Sequence, residues 1–417
     1  MIYTPPAGQT KGLDEMNNTP FPWKIVLGAM AILGGAQGVV INTNGIILAE
    51  IVREMGFRAG DFSVFYTIMY LVSALCMPHT SKAFFAVKRP RAFMSLMGTL
   101  FTLPFAGMCV YTKLWHWYAA AAFAGMGYSC MMVSVTTVLN SWFAAKRGLV
   151  AGVTLSVTGL IGAVLAPVFA RCVAAFGWRV TSLCTATAAF VMIAVLGAFA
   201  LVPSPDREGR APWGTSPDTA RAVPQTARRV PLYVFFLCMA AFAGLNAMFQ
   251  FNLQLPLFAR SHGYTLAAGA VLTSCSMIGN IAGKVLLGYA IDRLGAYRAG
   301  TLLALALFSS FAVFRFCPGT FAALCAAGVL FGSVYSVGGV LVPQMSLAVW
   351  GQAEYRACVS RFSAVDAFAA ALSGSAFPYL FDLTGSWSPM LLWNMAVAAA
   401  AAGLFAYIGR QEKNWHA

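Results

Sequence analysis

Long apolar blocks alternate with short polar ones along the chain. Twelve such blocks follow one another, at about 24–48, 62–84, 92–112, 115–140, 148–172 and 179–202, then 231–257, 265–290, 297–317, 320–345, 357–380 and 388–410. At 1.5 Å of rise per residue, each is long enough for a helix to cross a hydrocarbon core about 30 Å thick. The two sets of six are parted by residues 203–230, which hold Pro203, Pro205, Pro212, Pro217, Pro224 and five arginines. That composition predicts a solvated linker. The pattern predicts an all-α membrane protein with twelve transmembrane helices in two six-helix, pseudo-symmetric bundles. Its expected parts are a tail at 1–23, a bundle at 24–202, the linker at 203–230, a bundle at 231–410 and a tail at 411–417. The first 24 residues are polar and carry Pro5, Pro6, Pro20 and Pro22. They lack a basic stretch followed by a short apolar core, so no cleaved signal peptide is expected.

The halves look like repeats. A shift of 207 places Gly56-Phe57 on Gly263-Tyr264, before the second and eighth blocks. Six plus six helices with weak internal symmetry is the layout of many secondary transporters.

Composition narrows the class. Of 417 residues, 59% are apolar and 10% are charged, against roughly 25% charged in a soluble domain. So few charges cannot cover a water-soluble surface, which excludes an ordinary cytosolic enzyme, a disordered chain and a nucleic-acid-binding module. The net charge of +14 is a topology signal. With the N-terminus cytoplasmic, nineteen Lys and Arg residues fall inside and seven outside, with Lys284 left within a helix. That asymmetry predicts both termini in the cytoplasm, and it accounts for the charge without a nucleic-acid partner. The ten cysteines lie in or beside apolar blocks with no Cys-x-x-Cys or Cys/His cluster, which reads as buried thiols and not as disulfides or a zinc site. His79, His116, His262 and His416 are scattered, and no nucleotide, metal or nucleophile–base motif occurs. No cofactor, no metal and no enzymatic chemistry are expected.

Two stretches carry motifs. The eighth block ends in Gly288-Tyr-Ala-Ile-Asp292-Arg293-Leu-Gly295-Ala-Tyr-Arg298. This resembles the signature loop G-x-x-x-D-[RK]-x-G-x-x-[RK] of the major facilitator superfamily. Gly288 would permit close helix approach, Asp292 would meet a neighbouring helix N-terminus, and the basic residues would hold the cytoplasmic side. The equivalent loop between the second and third blocks is degraded: the 207 shift puts Ser81 and Phe85 where Gly and Asp should stand, although Arg91 matches Arg298. The N-terminal half is expected to be latched by another device or by none.

The second stretch is Trp142-Phe143-Ala-Ala-Lys146-Arg147-Gly148-Leu-Val-Ala-Gly152, followed by Gly159, Gly162 and Pro167. With the turn Phe176-Gly177-Trp178-Arg179, it is similar to the monocarboxylate transporters and to the related bacterial oxalate:formate antiporters. Gly34-Gly35-Ala36-Gln37-Gly38 replaces the acidic-Gly-aromatic signature of the animal carriers, which favours the bacterial branch. The resemblance implies the major facilitator fold, a working monomer, a small carboxylate as substrate and a bacterial inner-membrane location.

Lys284 lies eight residues before Asp292, about 12 Å along a helix and near the bilayer midplane. An intramembrane charge is a functional hypothesis by default; the plain alternative is a Lys that snorkels to the interface. The resembled carriers have an Arg at this spacing that binds the substrate carboxylate. Where some have an Asp one turn earlier, this chain has Asn280, so a proton mechanism through that Asp does not transfer. Asp366 is the second intramembrane charge, ten residues past Arg356. It is the candidate coupling group. A fixed Lys284–Asp366 pair, or a clasp for the two ends of an amino acid, are the rival readings. Arg361 is assigned to the interface.

Polar faces complete the set. Thr273, Ser276, Asn280 and Lys284 share one face of the eighth block; Asn246, Gln250 and Gln254 line the seventh; Gln37, Asn42 and Asn44 lie in the first. Tyr66, Tyr70, Tyr128 and Tyr335 fall at mid-depth. Polar faces in lipid must turn to other helices or to water, and a tyrosine hydroxyl can cap a carboxylate while its ring packs the body of the ligand. Substrate binding is therefore expected from Lys284, Asn280, Tyr66, Tyr70, Tyr128, Tyr335, Gln37 and Gln250. Conformational motifs are expected at Lys146 and Arg147 and from Gly288 to Arg298. Glu50 and Glu54 are expected to be solvated helix ends. The reading is a secondary transporter of a small organic anion, by symport or antiport, with the proton as candidate co-substrate. A membrane sensor that binds its ligand without moving it is the rival of another class.

Overall fold

The computed structural model describes residues 21–143, 147–210, 212–214 and 230–411. The described residues form twelve rods. Helix α1 runs Trp23–Met55, α2 Ala59–Ala86, α3 Pro90–Gly107 and α4 Leu114–Trp142. The next rod, Arg147–Phe190, is broken at Gly177 into α5 (147–176) and α6 (178–200). Helix α7 is Leu232–Ser261, α8 Leu266–Leu294 and α9 Ala296–Phe316. Helix α10 is Phe321–Gly351, α11 covers 352–384 and α12 is Ser388–Gln411. Gly177 and Gly351 hold φ of 79° and 71°, a backbone that L side chains rarely adopt, and so reverse the chain where no loop intervenes. A helix closes all its own hydrogen bonds, which is why lipid selects it.

Each half has its own core. Phe62, Phe65, Phe101, Trp117 and Trp178 fill the N-terminal one; Phe242, Phe251, Phe258, Phe311 and Phe331 fill the C-terminal one. Three glycines of α1 let it lie against α5 and α6. A side chain at Gly34 or Gly38 would meet Ile161, and one at Gly35 would meet Ile193. Within this stretch α1 widens to a π-helix over Gly34–Ile41.

Call the side carrying the chain ends the terminal face and the other the distal face. The halves are sealed at the distal face. The Asn252 amide donates to the Asn42 carbonyl at 3.2 Å, and Ser274 donates to the Ala163 carbonyl at 2.8 Å. Tyr379 donates to the Asp61 carboxylate at 2.7 Å, the Gly60 amide donates to Asp382 at 2.6 Å, and Thr67 donates to Ser375 at 2.9 Å. Glu50 accepts from Arg53 and from Arg260 of the other half. Glu50 is only 5% exposed, so it is a buried tie between halves and not the solvated end the sequence suggested. Burial there is tolerable because two guanidinium groups supply the missing solvation. Glu54 accepts from Trp178 at 2.7 Å and from Arg179; α1 continues as a helix to Met55, beyond the expected end near 48, and stops at Gly56 with φ 68°.

The terminal face is open between the halves. Gly159 and Gly162 of α5 press on Met277, Asn280 and Ile281 of α8. Nearer the terminal face, a side chain at Gly152 or Gly288 would meet nothing within 4 Å. On α4 the face through Tyr128, Met132 and Thr136 passes from buried to exposed in the same direction.

Part of the linker is docked. Arg207 donates to the carbonyl of Phe85 at 2.6 Å and of Val87 at 3.3 Å, at the loop where the N-terminal signature is degraded. The Trp213 amide donates to the Trp142 carbonyl at 2.8 Å, and its ring packs on Phe21 and Phe143. The expected solvated linker is therefore partly a clamp on the N-terminal half. Residues 1–20, 144–146, 211, 215–229 and 412–417 lie outside the described ones, and with them the tails and the rest of the linker.

Cysteines at Thr67 and Ser375 are expected to bridge under mild oxidation, because their hydroxyls already touch across the seal and a disulfide needs close side chains. Thiol titration should show two free thiols lost in the double variant and none in either single variant. No loss in the double variant would mean that the distal seal is not formed as described.

Candidate functional site: a cleft between the halves

The cleft narrows to a floor of aromatic rings. Tyr70 of α2 meets Tyr128 of α4 edge-on, with ring centroids 5.7 Å apart at 84°. Tyr70 also meets Phe249 of α7 at 6.2 Å and 90°, and Phe249 meets Tyr335 of α10 at 5.8 Å. Edge-to-face pairs suit the quadrupole of the rings. The chain of rings crosses from one half to the other through Tyr70 and Phe249. Through these ring contacts Tyr70, Tyr128 and Tyr335 border one region of the cleft. Gln37, half-buried on α1, donates to the Tyr128 hydroxyl at 2.9 Å and leans on Met132 sulfur at 3.3 Å. Four expected residues thus come together, and Phe249 joins them unannounced.

Lys284 is half-buried on the face of α8 that carries Met277 and Asn280 toward α5. The lipid face of α8 is marked instead by Ile278, Val285 and Leu286, each more than half exposed. Among the described residues, Lys284 has neither a hydrogen-bond nor an ion-pair partner. Asn280, one turn deeper, is 1% exposed; its amide reaches only Met277 sulfur at 3.9 Å, and its carbonyl oxygen has no partner. The two form a polar step from the closed crossing of α5 and α8 to the open cleft.

Asp366 is buried within the C-terminal half, with its Oδ1 unpartnered. One turn along α11, the Ala370 carbonyl accepts from Gln250 of α7 at 2.8 Å, and Ser373 donates to the Ala247 carbonyl at 3.1 Å. Asp366 therefore lies on the face of α11 that meets α7. No ion pair joins it to Lys284, so the fixed pair is absent from this conformation. Gln250 leaves its own carbonyl oxygen unpartnered, and both side-chain polar atoms of Gln254 are buried without partners.

The comparisons with known proteins agree with this architecture. The family model of the Major Facilitator Superfamily matches residues 30–299. The chain belongs to the Major Facilitator Superfamily. Family and fold are those of membrane transporters, not of an enzyme. A relative in Saccharomyces cerevisiae, the uncharacterized transporter ESBP6, is 27% identical over 239 residues, which is 55% of this chain and 35% of the relative. The chain thus matches about a third of that relative's length. Among solved structures, the nucleoside transporter NupG aligns with a TM-score of 0.68 and 11% identity, covering 93% of this chain and 98% of that one. The D-xylose-proton symporter aligns with a TM-score of 0.67 and 14% identity, covering 92% and 97%. At such identities the likeness is one of fold.

Several expected site residues of this facilitator sit elsewhere. Tyr66 is fully buried and accepts a hydrogen bond from Asn44; it shares a helical face with Tyr70 but lies one turn nearer the distal seal, where Gly374 of the other half covers it. Asp292 is exposed and unbonded, and Gly288 faces open space. The signature loop's close approach is absent because the halves are parted at this face. Gly295 turns the chain between α8 and α9 at φ 84°, and the Arg293 guanidinium lies over the Tyr289 ring at 5.5 Å. Arg298 shares a cleft of about 930 Å³ with Arg410. Arg361 is exposed, its guanidinium over the Phe235 ring at 5.9 Å. Lys146 lies outside the described residues, as does the side chain of Arg147. Phe249 and the Glu50–Arg260 tie were missed. An aromatic beside Gln250 has no signature within one apolar helix, and an acid at a helix end looks solvated until its partner from the other half is known.

Asp366→Asn is expected to stabilise the purified protein by about 1–3 kcal/mol, since it relieves a buried acid with an unpartnered oxygen. Thermal unfolding in detergent checks this. A lower Tm would show that the carboxylate has a partner that it needs.

Proposed function

We propose that this chain is a secondary active transporter that moves a small organic anion of the monocarboxylate type by alternating access, with the proton as co-substrate. One observation carries the reading: Lys284 stands at mid-depth on the face between the halves, without a hydrogen-bond or ion-pair partner among the described residues. A lone cation there is costly unless something anionic or water meets it. Fold does not fix cargo, so the nucleoside and xylose carried by the solved neighbours do not decide it. The charge at Lys284 favours an anion.

The charge asymmetry of the loops supports cytoplasmic termini; the bacterial inner membrane and the working monomer rest on the resemblance to the bacterial antiporters. On that orientation the distal seal faces outward and the cleft opens to the cytoplasm. Lys284 binds the carboxylate by a charge-assisted hydrogen bond. Asn280, Gln37, Gln250 and the three tyrosines of the floor shape the rest of the site. The coupling role falls to Asp366. A proton taken up there as one anion loads leaves the net charge of the carrier unchanged, so the loaded form crosses without electrical work. Because Asp366 and Lys284 are unpaired here, coupling runs through this charge balance and not through breaking a bridge. Rocking of the halves would then open the distal ties, including Glu50–Arg260 and Asp61–Tyr379, and bring the loop at Asp292 onto its neighbour.

A thermal-shift panel of lactate, pyruvate, oxalate and amino acids on purified protein tests the cargo, because a bound ligand raises apparent stability. Carboxylates should stabilise the protein, and amino acids should win only if Asp366 clasps an amine. Lys284→Gln should weaken carboxylate binding by roughly tenfold to a hundredfold, the worth of a charged hydrogen bond, and Lys284→Arg should keep most of it. Wild-type affinity in Lys284→Gln would sink the site assignment. In proteoliposomes, counterflow of the bound carboxylate separates a carrier from a sensor. Uptake by Asp366→Asn should lose its dependence on a proton gradient, and full dependence would remove the coupling role.

A further inference from the structure

The ring floor constrains the body of the substrate as Lys284 constrains its charge. Resting on the monocarboxylate reading, we infer that the preferred cargo is an aromatic monocarboxylate, with its ring among Tyr70, Tyr128, Phe249 and Tyr335 and its carboxylate turned toward Lys284.

Three observations carry this. First, the rings meet one another edge-on, Tyr70 to Tyr128 at 84° and Tyr70 to Phe249 at 90°. Each edge-on contact covers one ring face with the other ring's edge, and Tyr70 and Tyr128 are buried, so the ring surface open to a planar guest is that of Phe249 and Tyr335. Second, the four rings come from both halves, and Phe249 and Tyr335 are only half-buried. They therefore border space that an anion of one or two carbons would leave unfilled. That space continues along α10, where Gly338 is exposed and a side chain there would meet only Asn246. Third, the hydroxyls of Tyr70 and Tyr335 have no partner among the described residues, so donors remain at the rim for one carboxylate oxygen while Lys284 takes the other. The charge balance points the same way. Lys284 is the one cation of the cleft's mid-depth among the described residues, and the other charge at that depth, Asp366, is acidic. A dianion such as oxalate would bring one negative charge too many.

The depths are compatible. Tyr70 and Tyr335 lie 11 and 14 residues from the distal starts of α2 and α10, and Lys284 lies 18 from that of α8. The difference is four to seven residues, about 6–11 Å at the helical rise. A benzene ring with a carboxylate spans about that range, so a guest on the floor would point its charge toward the terminal face.

Equilibrium binding of radiolabelled benzoate to the purified full-length protein tests the inference, with unlabelled phenylacetate, benzamide, acetate, lactate and oxalate as competitors. Benzoate and phenylacetate should bind about tenfold more tightly than acetate or lactate, the return from one to two ring contacts. Benzamide, which has the ring without the charge, should compete poorly. Phe249→Leu should erase the preference for the ring, and Phe249→Tyr should restore it. If acetate or lactate displaces benzoate as well as phenylacetate does, or if lactate stabilises the protein while benzoate fails to bind, the aromatic inference is overturned and the monocarboxylate reading stands. If no carboxylate binds or stabilises the protein, both fall.

Discussion

Hydrocarbon offers no partner to a polar group, and that constraint organises the whole molecule. Backbone groups meet it by forming helices, each closed upon itself. Side chains meet it by standing at helix ends, by bonding to a neighbouring helix, or by facing water inside the protein. Glu50 takes the second course, held by Arg53 and Arg260. Lys284 stands on the face where the halves part, without a hydrogen-bond or ion-pair partner among the described residues. The same physical cost explains why one charge is a structural tie and the other a candidate site. What differs is whether a partner of opposite sign lies in reach.

Small residues decide where the halves can touch. Gly159 and Gly162 bring α5 onto α8, while Gly45 brings α1 onto the backbone of α7 at Leu253. The first of these contacts sits at mid-depth and the second toward the distal face, where the hydrogen bonds between described residues of the two halves also lie. A seam of small residues and polar ties on one side leaves the other side free. The loop around Asp292 is idle at the open face for the same reason. The clamp of Arg207 on the α2–α3 loop acts within one half and joins nothing across the cleft.

The site was legible in part. Lys284 and Asp366 stood out because charge is rare at their depth, and depth follows from counting residues. Tyr70, Tyr128 and Tyr335 follow from the same count and Gln37 from the polar face of the first block, and they come together. Tyr66 passed that count yet turns to Asn44 in the seal, since four residues from Tyr70 is close to one helical turn, and the halves close over that end of α2. Depth is a linear property of the chain. The direction a side chain faces among twelve packed helices is not.

The sequence by itself determined the number of crossings, the division into two sixes and the isolation of two mid-depth charges. All three follow from composition along one dimension, against a solvent of known thickness. Only the tertiary structure decided that the distal face is sealed, that Glu50 joins the halves, that Lys284 and Asp366 stand apart, and that Phe249 completes a ring floor. Each of these depends on pairs of residues far apart in the chain, from 67 to 375 or from 70 to 249. Such pairs are set by how whole helices pack, and an apolar helix carries little in its own pattern to say which neighbour it will meet.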